Sequence, residues 1–267
     1  MIIDSHQHVI LPTSMQLEGM DRAGVGKAVL FATTPHVERA KSAALADIDR
    51  EMQALYRLLG GAFTEQQRRA QMEGTIEELK QAVATAPDRF AGFGPVPLGL
   101  SDDDTAAWVE DRVVGNAFRG IGEFTPGSTA QVEQLEPVFR AASDHAGLPL
   151  WVHTFNPVAP DGIAALMDLC RRYPSVPVIF GHGGGYSWMD VTAFAKRHPN
   201  AYVDLSAAFT PLSVKTALFE VPEQCLFSSD APFGEPELSR RLVEFASPSP
   251  EVTALALGGN TARLLGL

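Results

Sequence analysis

Cysteine is scarce: Cys170 and Cys225 are the only two in 267 residues. Neither belongs to a CxxC pair or has a histidine at metal-ligand spacing, so both read as buried reduced thiols. Basic residues are the minority, 21 against 32 acidic, and the net charge of −11 leaves no basic stripe for a polyanion. Nucleic acid is therefore not an expected partner. No window approaches the unbroken apolar run of a membrane span. Residues 1–12 carry an acid and two histidines where a secretory leader would have a basic end and an apolar centre. The expected setting is the cytoplasm, with no membrane contact. A hydrophobic fraction of 45% and a mean hydropathy near zero fit an ordinary globular chain.

What the chain does have is alternation. Runs with strand character at about 1–9, 26–33, 90–98, 117–124, 149–155, 176–181, 201–206 and 225–229 end in Gly, Pro, Ser or polar residues. Helical stretches separate them, at 14–23, 102–115, 130–146, 160–173, 187–198, 211–220, 236–247 and 250–265. Eight strand–helix units in a chain of this length point to a single-domain (β/α)8 TIM barrel over 1–267, whose usual size is about 250 residues. A doubly wound open sheet is the alternative. One connection is long, 36–88, with helical periodicity at 48–59 and 76–83. We read 36–85 as a helical insertion or lid after strand 2, rising from the face where barrel active sites sit.

The first strand carries His6 and His8, which the two-residue period points out of one face. Suitable metal ligands recur at the carboxyl ends of later strands: Glu123 on the fourth, His153 on the fifth, His182 on the sixth and Asp230 on the eighth. A barrel brings those ends to one rim. Four imidazoles and two carboxylates confined there have little purpose except to hold a cation, since unpartnered buried charge is costly. A divalent metal is the expected cofactor, zinc by preference, as one or two ions. His36 opens the long connection and is a candidate substrate contact.

These residues resemble the amidohydrolase superfamily, and within it the amidohydrolase-related branch that includes aminocarboxymuconate-semialdehyde decarboxylase and related hydrolases. The resemblance runs through Asp4-x-His6-x-His8, 86–93, Arg119-Gly-Ile-Gly-Glu123, 148–153, 178–185, 201–206, 226–230 and 259–265. It implies a distorted (β/α)8 barrel in which His6, His8, His153 and Asp230 match metal-ligand positions. His182 matches a second-metal ligand or a catalytic histidine. Glu123 resembles the bridging glutamate of TatD-like nucleases and some lactonases. None of the five lysines sits at the strand ends where the superfamily places a carboxylated lysine.

A divalent ion with an open position lowers the pKa of a bound water from about 15.7 toward 7. Asp230 is then the expected proton acceptor, and His182, flanked by three glycines, a polarising or oxyanion-holding group. Arg119, four residues before Glu123, is expected in a buried salt bridge below the rim, with a clamp for a substrate carboxylate as the alternative. Phe124, Phe155, Asn156, Tyr186, Trp188, Phe209 and Phe233 line the predicted rim, and Phe155 and Trp188 are candidate substrate contacts. The substrate expected there is a small apolar or aromatic molecule. Hydrolysis of an amide, lactone or ester is the favoured reaction, with non-oxidative decarboxylation of an aromatic or unsaturated acid as the alternative and a retired scaffold third. A homo-oligomer is compatible with the sequence but not specified by it.

Overall fold

A computed structural model describes residues 1–32, 41–59 and 65–267, without the side chains of 54–59 and 65–68. Eight parallel strands follow one another in sequence order around a barrel: β1 (Ile3–His8), β2 (Lys27–Phe31), β3 (Phe90–Gly94), β4 (Gly120–Phe124), β5 (Leu150–His153), β6 (Val178–Gly181), β7 (Ala201–Asp204) and β8 (Cys225–Leu226). The seam between first and last strands is made by backbone hydrogen bonds from Ser5 to Phe227 (2.9 Å), Asp230 to His6 (2.9 Å) and His8 to Ala231 (2.7 Å). The molecule is a (β/α)8 barrel, as the alternation implied.

The helices are α1 (Thr13–Ala23), α2 (Leu45–Leu59), α3 (Glu65–Thr85), α4 (Asp102–Trp108), α5 (Thr129–Glu133), α6 (Glu136–Asp144), α7 (Pro160–Arg172), α8 (Trp188–Ala195), α9 (Pro211–Glu220), α10 (Pro236–Ala246), α11 (Pro250–Ala254) and α12 (Asn260–Leu265). Two stretches expected as single helices are divided. The 130–146 stretch breaks between α5 and α6, where Pro137 lacks the N–H a continuing helix would need. The 250–265 stretch breaks at Gly258, where a Cβ would meet the Met1 carbonyl at 2.5 Å. Within 36–85, the carboxyl half of α3 buries Ile76, Leu79 and Ala82 and packs against β2 and β3. That half of α3 is the crossover helix of the second strand–helix unit.

The barrel interior is aromatic. Phe31, Phe93, Trp151, Ile179 and Leu226 form an inner cluster, with Phe31 centred 5.0 Å from Phe93 and 5.7 Å from Trp151. Room for the two largest rings comes from small neighbours. A Cβ at Gly181 would lie 2.2 Å from Trp151, and one at Gly120 would lie 2.4 Å from Phe93. Alternating large and small residues in this way fills a narrow barrel without a void. The second, larger cluster lies between strands and helices. The inner cluster is the floor on which the candidate site rests: the His6 ring is centred 4.1 Å from Trp151 and 4.6 Å from Phe31.

Candidate metal centre

All six residues picked as ligands meet at the carboxyl end of the barrel. Glu123 is the hub. Its Oε2 lies 3.2 Å from His8 Nε2 and 3.4 Å from His6 Nε2, while Oε1 lies 3.3 Å from His153 Nδ1. Asp230 Oδ1 closes the first group, 3.4 Å from His8 Nε2 and 3.7 Å from His6 Nε2. His182 completes the second, its Nε2 3.0 Å from His153 Nδ1. Ligand atoms of His6, His8 and Glu123, and again of Glu123, His153 and His182, lie within 4.8 Å of one another. His153, expected beside His6, His8 and Asp230, meets the Glu123 oxygen opposite the one that faces His6 and His8.

Backbone geometry aims these side chains. A register shift in β4 between Ile121 and Phe124 interrupts the two-residue period ahead of Glu123. Gly122 is required there: its φ is +145°, and a Cβ would stand 2.7 Å from the Trp151 carbonyl. His182 and Asp230 both adopt left-handed backbone, at φ +58° and +59°. Such a conformation costs a non-glycine residue about 1–2 kcal/mol, and it persists where surrounding bonds over-determine it. The His182 amide donates to Asp204 Oδ1 (3.0 Å). The Asp230 amide donates to the His6 carbonyl, and its own carbonyl accepts from Phe233 and Gly234.

The outer nitrogen of three of the imidazoles is held by an oxygen. His8 Nδ1 donates to the Ala32 carbonyl (3.0 Å), His153 Nε2 to the Asn156 carbonyl (3.0 Å), and His182 Nδ1 to Ser206 Oγ (2.9 Å). Each leaves the inward nitrogen to face the cluster, where it can take a cation in place of a proton. Among the described residues neither ring nitrogen of His6 has a hydrogen-bond partner, although the residue is fully buried. His6 nitrogens buried without a hydrogen bond among the described residues, His153 and His182 nitrogens facing each other across 3.0 Å, and two carboxylates beside them fit a divalent cation. Within that donor set His6, His8, Glu123, Asp230, His153 and His182 would hold it.

The same arrangement fixes the charges. Burial works against charge on His8, but Asp230 and Glu123 outweigh it and push its pKa up to about 10. His6 and His153 are likewise raised against burial, by Asp230 with Glu123 and by Glu123 respectively. Burial would raise Glu123 and Asp230, yet the histidines draw both carboxyls below their usual range. His182 is lowered, by burial first and by His153 second.

Other expectations fare unevenly. Arg119 is exposed and lies just before β4 begins, not in a buried salt bridge, because the strand starts at Gly120 and the arginine falls outside the barrel wall. Phe155 is half-buried at the rim, its ring centred 5.3 Å from Tyr186, which in turn is 5.0 Å from Phe209. Phe233 stands edge-on to His8 at 5.7 Å. Trp188 lies with Thr192, Val203, Ala208 and Val214 around a small cavity between α8, α9 and β7 that reaches the back of His182. His36 falls outside the described residues. Sequence reasoning assigned no role to Trp151, Asp204 and Ser206. Their signal was present: Asp204 and Ser206 are two apart at the end of a strand, so they share a face.

Comparison with known proteins follows from this geometry. No curated protein sequence matches the chain. Among solved structures, 5-carboxyvanillate decarboxylase from Sphingomonas paucimobilis superposes with a TM-score of 0.70 at 16% identity, covering 100% of this chain and 99% of that one. A dihydroxybenzoic acid decarboxylase from Polaromonas, with bound manganese and the inhibitor 2-nitroresorcinol, gives 0.66 at 19% identity, with 100% and 97% covered. 4-Oxalomesaconate hydratase from Rhodopseudomonas palustris gives 0.67 at 16%, with 100% and 96% covered. At these identities the likeness is one of fold. The family model described as amidohydrolase matches residues 3–267, and the chain belongs to that family.

Proposed function

We propose that the chain is a divalent-metal-dependent enzyme that decarboxylates a small aromatic or unsaturated carboxylic acid without oxidation. The observation that carries the reading is the site's composition: inward-facing imidazole nitrogens and two carboxylates with Phe233 against His8, and the linked rings of Phe155, Tyr186 and Phe209 on the segments that follow β5, β6 and β7. A planar unsaturated acid suits such a wall. Bound in this donor set, the ion supplies the positive charge that holds and polarises a carboxylate or carbonyl oxygen. That answers the lack of a cationic side chain: among the described residues no arginine or lysine ion-pairs with the cluster.

His182 is the group placed to move a proton. Its Nδ1 is committed to Ser206, so Nε2, when no ion occupies it, is the atom that takes up a proton and delivers it to the carbon that carbon dioxide leaves. Asp230 and Glu123 keep His6 and His8 oriented. The fold relatives weigh on the same side, since two of the three compared are decarboxylases, and one of these holds manganese. Manganese stands beside zinc as a candidate ion.

Hydrolysis of an amide, lactone or ester is the second reading, and Glu123 favours it. A carboxylate touching three histidines can orient an attacking water or hold a second ion, and it repels an acid substrate. The test loads purified protein with manganese or zinc and offers aromatic and muconate-like acids beside lactones, esters and amides, following carbon dioxide and proton release. Metal-dependent carbon dioxide supports the proposal. Turnover of a lactone, ester or amide with no carbon dioxide from any acid transfers the assignment to hydrolysis.

A further inference from the structure

Behind His182 lies a polar arrangement that neither the metal nor the substrate would touch. Asp204 is fully buried and accepts four hydrogen bonds: from the His182 amide (3.0 Å), the Ser206 amide (3.0 Å), the Ser206 hydroxyl, and the Trp151 indole (3.3 Å). Every one of these contacts is a donor. The carboxylate therefore takes the Ser206 proton, and Ser206 Oγ turns a lone pair toward His182 Nδ1 at 2.9 Å. The Ser206 amide also reaches Ser228 Oγ (3.0 Å), which ties the serine to the strand on its other side.

The consequence sits on the opposite face of the ring. With Nδ1 protonated, His182 presents a bare Nε2 to His153 Nδ1, 3.0 Å away. His153 presents its Nδ1 in return, because its Nε2 proton goes to the Asn156 carbonyl, and that Nδ1 also lies 3.3 Å from Glu123 Oε1. Two lone pairs at that distance repel unless a positive charge stands between them, a proton or a metal ion. Were His182 free to carry its proton on Nε2, the two rings would instead bond directly to each other. That bond would consume both inward nitrogens and leave nothing for a cation.

We propose that Asp204 and Ser206 are positioning residues that hold His182 in its Nδ1–H form and so keep the His153–His182 pair open for cation and proton. The inference rests on the reading of these histidines as part of the reaction centre, and it names what sets their state. Asp204 acts through Ser206, and Ser206 through His182. Neither needs to meet substrate. The pair is connected to the floor of the site by the Trp151 indole, which fixes the carboxylate from the barrel interior.

The experiment is nitrogen NMR on the full-length chain, metal-stripped and zinc-loaded, with labelled histidine. The wild type should show His182 with Nδ1 as the protonated nitrogen when metal-free. Ser206→Ala should move the proton to Nε2 and weaken zinc binding by about tenfold to a hundredfold, and Ser206→Thr, which restores a hydroxyl, should return both to wild-type behaviour. A metal-free wild type with Nε2 protonated overturns the proposal. So does Ser206→Ala binding zinc as tightly as the wild type. If Ser206→Ala does not fold, the wild-type spectrum and the threonine variant still decide. A chain that shows the Nδ1–H form but neither binds metal nor turns over an acid disproves the proposed function and leaves this inference standing. Metal-dependent turnover with the wrong tautomer does the reverse.

Discussion

The amide of Asp230 donates to the carbonyl of His6 across 2.9 Å, and this one bond belongs both to the seam of the barrel and to the candidate metal centre. His6 and Asp230 come from opposite ends of the chain. Closing the sheet is what puts their side chains 3.7 Å apart. Four predictions follow from the way seam and site share atoms.

Metal removal should lower stability by a readable amount. The donor set binds the ion in the folded chain only, so a ligand at a hundred times its dissociation constant adds about 2.7 kcal/mol. For a chain of this size that corresponds to roughly 5–10 °C in Tm. Thermal unfolding of chelator-treated protein, with and without added zinc or manganese, measures it. No shift with either ion would sink the metal reading.

The metal-free protein should lose stability as pH rises through the alkaline range. The folded pKa of His8, about 10, stands above the 6.5 of an unfolded histidine, so its contribution is complete below about 6.5 and disappears as pH approaches 10. Asp4 works in the same direction lower down. Burial, outweighing its hydrogen bonds, raises it from 3.8 to about 6, so its contribution fades between those values. Cation binding should oppose the His8 trend, because the ion displaces the His8 proton and binds more tightly as pH rises. Melting curves from pH 6.5 to 10, with and without metal, should diverge.

Asp4→Asn should destabilise the seam. The Asp4 carboxylate accepts from the His6 amide (3.2 Å), Gln7 Nε2 (2.8 Å), the Ser229 amide (3.0 Å) and Ser229 Oγ (2.6 Å). An amide would set an N–H against one of these donors at a cost of about 1–3 kcal/mol. Denaturant unfolding should register that loss. Metal affinity should fall with it, because Ser229 adjoins Asp230.

Glu123→Gln separates the two chemistries. Removing the charge should weaken metal binding on the order of tenfold or more under either reading. Under decarboxylation, KM for an acid substrate at saturating metal should fall, since a like charge is gone. Under hydrolysis, kcat should fall instead. A kinetic comparison at fixed metal occupancy reads the split.

The strands and the cluster were legible because both obey short-range rules. Period-two runs ended by Gly, Pro or Ser gave eight strands, and polar ligands at the ends of those runs named all six residues of the cluster. Long-range bonding was not legible. Nothing in the sequence near His182 says that Ser206, 24 residues later, will accept a hydrogen bond from its Nδ1. The bulge ahead of Glu123 was foreseeable only as an option at Gly120 or Gly122. The role of the carboxyl half of α3 was hidden by length, since a crossover helix and an insertion share one helical period.

The seam also sets an order in time. His6 and His8 are made more than two hundred residues before Asp230, and before Ala231, which pairs to His8. Until then β1 has no last strand to close against, and its histidines lack one of their two carboxylates. The first two histidines of the cluster are therefore made long before the carboxylate that completes their group. The six residues come together only in a chain whose last strand has closed on its first.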